Sequence, residues 1–187
     1  MARTPTTSIP LGFEAPAFAL PDAVTGTVKH SVDLMVGGPI VVVFMCNHCP
    51  FVVHILPEFV AFAGEYMTRG VKVVAISSND VDGYPMDSPD LMKALAEELN
   101  FGFPYLYDES QEVARAYEAA CTPDFSVFDA DRKCVYRGQF DGARPGNDAP
   151  VTGADIRRVL DQLLAGEAVP EEGQIPSLGC NIKWKPE

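Results

Sequence analysis

The sequence predicts an α/β domain with a central mixed β-sheet flanked by helices, and three observations predict it. The apolar run Ile40-Val41-Val42-Val43-Phe44-Met45 has no polar alternation, as expected of a central strand buried on both faces. An amphipathic stretch, Phe51 to Met67, and a second apolar run, Val71 to Ser77, follow it. Strand, helix and strand joined by one long crossover imply parallel, right-handed pairing. Further on, Asp124–Phe128 and Lys133–Phe140 flank the turn Asp129-Ala130-Asp131, a hairpin that adds antiparallel strands.

Residues 1–12 read as a loose lead-in. Phe13 to Asp22 alternates apolar residues between prolines and reads as an edge strand or extended arm, where proline is tolerated. Thr25-Gly26-Thr27 marks the turn of a small hairpin, Ser31–Met35 one helical turn, and Gly37-Gly38-Pro39 a breaker. In the long helix Val52, Ile55, Leu56, Phe59, Phe62, Ala63 and Tyr66 form a core face. Pro57 is expected to kink that helix, and Arg69-Gly70 to end it. Ser78 to Asp90 is a polar loop at the carboxyl end of a strand, where α/β folds place their sites. Asp90 is placed to cap a helix over 91–99, and Asp108 one over 109–119, with a short strand at 103–106 between them. After the hairpin and the loop 142–148, Ile156, Val159, Leu160, Leu163 and Leu164 make 155–165 an amphipathic helix. The tail, 166–187, carries prolines and glycines and reads as loose. The result is one domain, with 13–165 as its core and no internal repeat.

Its 187 residues can bury a sizeable core. Net charge is −12, from 26 acidic against 14 basic residues, a field that repels nucleic acid and anionic membranes. No apolar run approaches membrane-spanning length, and the stretch from Met1 to Ser8 is not followed by the apolar core of a signal peptide. The odd cysteine count, five, argues against a disulfide-stapled secreted scaffold. A cytoplasmic location is expected, with no nucleic-acid or membrane partner.

Between the first strand and its helix stands Cys46-Asn47-His48-Cys49-Pro50. C-x-x-C beside a βαβ pattern in an intracellular protein is a redox motif. Two intervening residues let the sulfurs close a small disulfide ring over the first helical turn. The unpaired N–H groups and positive dipole end of the helix favour a thiolate there. Cys46, at the outer lip, is the expected nucleophile, and Cys49, one turn inside, resolves the mixed disulfide. His48 adds stabilisation to the thiolate, and Pro50 suits the first turn because its missing N–H costs no helical bond. A zinc site would need a second ligand pair, which the sequence lacks, so no metal and no cofactor are expected. Cys134 reads as structural. Cys121, two residues before Pro123, reads as a small buried thiol or a third redox partner. Cys180 either packs or folds back as a second resolving thiol, and Trp184 reads as an anchor for the tail.

With that motif in place, the order βαβ, helix, X-Pro, β-hairpin, helix resembles the thioredoxin fold over residues 13–165. Pro123 matches the fold's cis-proline, and the resemblance implies that Thr122 lies against the cysteine pair and offers its backbone to a bound thiol substrate. The lead-in Ala15-Pro16-Ala17-Phe18-Ala19-Leu20-Pro21-Asp22 and a helical insertion at 89–99 are similar to the peroxiredoxin and redoxin (AhpC/TSA-like) branch. The tail from Gly179 to Trp184 resembles a peroxiredoxin-like thioredoxin group. His48 before the second cysteine is similar to disulfide isomerases, whose potentials are more oxidising. Ile40 stands where thioredoxins bury an aspartate, and Met45 where a tryptophan commonly precedes the first cysteine. Laid on the peroxiredoxin pattern Pro-x-x-x-Thr-x-x-Cys, Cys49 takes the peroxidatic place, Cys46 replaces the threonine and Val42 the proline. Arg137 is then the candidate for the arginine that orients peroxide. The resemblance therefore implies thiol–disulfide exchange ahead of a thiol peroxidase, with copper or zinc binding third. The implied partners are a disulfide-containing protein or small-molecule thiol substrate, or a peroxide, and a recycling dithiol reductant; a homodimer is a further expectation.

Overall fold

The computed structural model describes residues 3–186. In chain order its elements begin with β1 (Arg3–Pro5), β2 (Ala19–Pro21), β3 (Val28–His30), α1 (Ser31–Leu34), β4 (Ile40–Phe44) and α2 (Pro50–Thr68). There follow β5 (Lys72–Ser77), a 3₁₀ turn at Pro85–Asp87, α3 (Pro89–Glu98), β6 (Tyr105–Tyr107) and α4 (Glu112–Ala116). The chain ends with β7 (Cys121–Thr122), β8 (Asp124–Phe128), β9 (Cys134–Gly138), α5 (Ala154–Leu164) and β10 (Leu178–Asn181).

A five-stranded mixed sheet in the order β6-β5-β4-β8-β9 forms the centre. β4 pairs in parallel with β5 and antiparallel with β8, and β8 pairs antiparallel with β9, so the crossover and the hairpin expected from sequence both form. All five residues of β4 are buried because both sheet faces are covered. Side chains alternate between faces. Val41 and Val43 join the core of α2, α3 and α5. Ile40, Val42 and Phe44 join a second core with Phe18, Ala114 and Tyr117 on the opposite face. The α2 face is buried at each expected position from Val52 to Tyr66, and the helix runs on through Pro57. Its centre is Phe59, whose ring meets those of Phe62, Phe103, Phe125 and Phe140 at 5.4–6.1 Å between centroids. Such aromatic pairs add to area burial.

The periphery corrects several expectations. Ser88, not Asp90, stands at the N-cap of α3. α4 is shorter than expected, and Asp108 serves it from a distance, accepting from the backbone of Ala114 at 2.9 Å. Of the arm 13–22 only β2 is a strand, paired with β3. Among the described residues, the lead-in and the tail each contribute a strand where a loose segment was expected. β10 is the middle strand of a second sheet, with β1 on one side and β7 on the other. Short strands whose partners lie far along the chain, as Cys180 lies from Thr122 and from Arg3, leave no local pattern to read.

Candidate active site

The parallel strand β4 delivers Cys46 one residue beyond Met45, whose N–H donates to Ile76 O at 2.9 Å. α2 starts at Pro50 with Cys49 in the N-cap position, its carbonyl accepting from Val53 N at 2.9 Å. β7 brings Thr122 and the cis Thr122–Pro123 peptide alongside. Thr122 touches both sulfurs. Its Oγ1 lies 3.6 Å from Cys46 Sγ, and its carbonyl accepts from Cys49 Sγ at 3.0 Å. Cys46, His48, Cys49, Pro50, Thr122 and Pro123 thus meet at one point.

Cys46 is not at an open lip. It is 1% exposed and Cys49 0%. The cover is the turn from Tyr84 to Asp87. Asp87 Oδ1 accepts from the backbone N–H groups of Asn47 at 2.8 Å and His48 at 3.2 Å, and Asn47 Nδ2 donates to Met86 O at 3.0 Å. Asp87 Oδ2 lies 2.6 Å from His48 Nδ1 and accepts from Asn79 Nδ2 at 2.8 Å. Tyr84 stacks on the His48 ring at 5.4 Å, with Lys183 Nζ 5.5 Å from the Tyr84 centroid. Sequence reasoning missed Asp87, Asn79 and Tyr84. The loop holds four aspartates, Asp80, Asp82, Asp87 and Asp90, and nothing in their spacing singles out the one that bonds to the cysteine motif.

The charge balance of the pair also differs from the sequence expectation. The hydrogen bond from the Cys46 thiol holds Cys49 well below the usual thiol range, with the Thr122 and Cys180 side chains and the Val52 N–H assisting against burial. The Cys46 thiol is pushed up by that same bond, by burial and by the negative charge of Asp87. The helix N-terminus therefore serves Cys49 rather than Cys46, because the N–H that reaches a sulfur belongs to Val52, one turn above Cys49.

Of the other thiols, burial pushes Cys134 up to about 12 and Cys121 higher still. Cys180, 2% exposed, joins the core cluster that contains Cys46 and Cys49. The structure does not bring Arg137 to the pair. Its guanidinium donates to the carbonyls of Thr7, Tyr117 and Glu118 at 2.7–3.1 Å, so it ties the N-terminal arm to the end of α4. Trp184 does anchor the tail, under the Arg115 guanidinium at 4.6 Å. The ligand atoms of Cys46, His48 and Asp87 lie within 4.8 Å of one another. The 2.6 Å between His48 and Asp87 is a hydrogen-bond separation, shorter than the about 3.3 Å kept by two tetrahedral ligands each about 2 Å from zinc. Among the described residues no helix is long and apolar enough to cross a membrane.

Solved structures resemble the chain at two levels. An uncharacterized conserved protein from Geobacillus kaustophilus is 56% identical, covering 100% of this chain and 98% of its own, with a TM-score of 0.97. A hypothetical protein from Sinorhizobium meliloti is 47% identical over 98% of this chain and 100% of its own, with a TM-score of 0.95. Peroxidoxin BcpB from Mycobacterium tuberculosis is 23% identical over 83% of this chain and 96% of its own; its TM-score of 0.62 shows a shared thioredoxin fold. No curated protein matches the chain. The AhpC/TSA family profile matches residues 11–137. Because that span is well over half the chain and takes in both thiols, Thr122 and Pro123, the chain belongs to the AhpC/TSA family, a redox family of thioredoxin fold.

Proposed function

We propose that the chain is a thiol–disulfide oxidoreductase whose working pair is Cys46 and Cys49. The observation that carries this reading is that both sulfurs converge on Thr122, at 3.6 and 3.0 Å, at the start of a helix whose Val52 N–H stabilises a sulfur charge. The two sulfurs of the reduced pair share one proton. When it lies on Cys49, the S–H points at Thr122 O, 3.0 Å away, an acceptor that suits a thiol and repels a thiolate. Cys46, now charged, faces the Thr122 hydroxyl and His48 Nδ1, 3.9 Å away.

Cys46 attacks one sulfur of a substrate disulfide. The substrate S–S bond breaks, and the leaving sulfur departs as thiolate and takes a proton. Cys49 then gives up its proton and attacks Cys46 Sγ. The second substrate thiol leaves, and the Cys46–Cys49 bond closes. The substrate gains two electrons from the protein and two protons, one given up by Cys49 and one from solvent, and a recycling dithiol restores the pair. Asp87 is a positioning residue that fixes His48 and the Asn47 backbone over the site. The covering turn must shift to admit a substrate, and Met86, 60% exposed, lies on its outer surface.

The lowered Cys49 thiol favours a second reading, a peroxidase in which Cys49 attacks a peroxide oxygen. That oxygen would transfer to sulfur and an alcohol or water would leave. Stopped-flow mixing of the reduced protein with oxidised glutathione and, separately, hydrogen peroxide, followed by Trp184 fluorescence, separates the two. Rapid exchange that ends in a Cys46–Cys49 bond and is slowed by orders of magnitude in Cys46→Ser supports the oxidoreductase. Peroxide consumption orders of magnitude faster than a free thiol, retained in Cys46→Ser, replaces it with the peroxidase.

A further inference from the structure

β10 runs directly past the working pair, and its one thiol lies on the side that faces it. Cys180 stands opposite Thr122 in the antiparallel β7–β10 pairing. Side chains directly opposite in such a pair share a face, with Cβ atoms about 4.5–5.5 Å apart. The Thr122 side chain reaches Cys46, so Cys180 shares the face on which Cys46 lies. Cys49 lies in the same core cluster and is near enough to add to burial in raising the Cys180 thiol. The strand comes this close because residue 179 is glycine: a Cβ there would run into the Thr122 carbonyl and the Pro123 nitrogen. The tail is held on both sides of the contact. Thr6 N donates to Ser177 O at 2.9 Å, and Ile182 N to Ala120 O at 3.2 Å. Three sulfurs, from two distant parts of the chain, are therefore packed into one core cluster beside Thr122.

We propose that Cys180 is a third redox thiol, which takes over the disulfide from the working pair. The proposal rests on the dithiol reading of Cys46 and Cys49. In the oxidised protein Cys180 attacks Cys49 Sγ. The Cys46–Cys49 bond breaks, a Cys49–Cys180 bond forms, and the proton given up by Cys180 ends on Cys46. No electrons enter or leave, because one disulfide and one thiol become another disulfide and another thiol. The outcome differs from a simple two-cysteine cycle. The oxidised chain regains a Cys46 thiol while its oxidising equivalent is stored between α2 and the C-terminal strand. Such a form can attack a second substrate disulfide without first being reduced, the property needed for reshuffling disulfides rather than only reducing or forming them.

Oxidation of the full chain with excess oxidised glutathione, followed by acid quenching, alkylation and peptide mass mapping, tests this. Wild type is expected to yield both Cys46–Cys49 and Cys49–Cys180 links, with alkylated Cys46 only in molecules that carry the second. Cys46→Ser is expected to close Cys49–Cys180 in most molecules. Cys180→Ser is expected to lose the alkylatable Cys46 of the oxidised form. The Cys46→Ser arm keeps the test decisive if Cys180→Ser does not fold. The proposal is overturned if wild type carries only Cys46–Cys49 and folded Cys46→Ser carries only glutathione adducts. That result leaves the dithiol reading intact. Absence of a Cys46–Cys49 link from wild type strikes the dithiol reading instead, and absence of both links overturns both.

Discussion

Asp87 shows how one buried residue sets the character of the site. It is wholly buried, accepts two backbone N–H groups, and faces His48 and Asn79 with its second oxygen. Its negative charge is one of the causes that push the Cys46 thiol up, while the bond from Cys46 holds Cys49 well below the usual thiol range. The sign follows directly. At neutral pH the reduced site carries one thiolate, which is lost only as pH falls through the Cys49 value, and the second thiol ionises only in strong alkali. Asp87→Asn removes a charge that raises Cys46, so the second ionisation moves toward neutral pH. It also sets an amide N–H₂ against one of the donors Asp87 now accepts, an unsatisfied buried contact that costs about 1–3 kcal/mol. A far-ultraviolet thiolate titration of both proteins, with denaturant unfolding, reads both effects. Identical titrations would show that Asp87 does not govern the pair.

At the scale of elements, what the sequence revealed and what it hid divide by range. β4, α2 and β5 were legible because each carries its signal internally: unbroken apolar residues, or apolar residues from Val52 to Tyr66 at helical spacing. The C-x-x-C and Pro123 were legible because each adjoins such an element. The burial of Cys46 was not, because its cover comes from a turn forty residues on, where one of four aspartates, Asp87, bonds to Asn47 and His48. The tail was misread because Leu178–Asn181 is strand only through its register with Cys121–Thr122 and Arg3–Pro5. Gly179→Ala tests that docking. The added carbon meets backbone rather than a flexible side chain, so β10 must move away from β7 at a cost of about 1–3 kcal/mol. A lowered denaturant midpoint, with faster hydrogen exchange at the amides of Ile182 and Thr6, is the expected result. Unchanged exchange would mean that the strand does not bear on the site.

For the molecule as a whole, the architecture explains why the thiol pair lies where it does. The two cores on either side of β4 fix its carboxyl end. α2 starts there, and the second sheet closes over it by carrying Thr122 and Cys180 in one register. A reduced state that holds its thiolate through several hydrogen bonds is stabilised over the disulfide state, which makes the couple more oxidising. The most direct measurement is an equilibrium redox titration of the full chain in glutathione buffers, quenched with acid and read by mass mapping at Cys46 and Cys49. The account predicts a single two-electron couple at a potential above the about −270 mV of thioredoxin, abolished in Cys49→Ser and replaced in Cys46→Ser by a Cys49–Cys180 couple. Independent titration of the two thiols into separate glutathione adducts, with no bond between them, would contradict it.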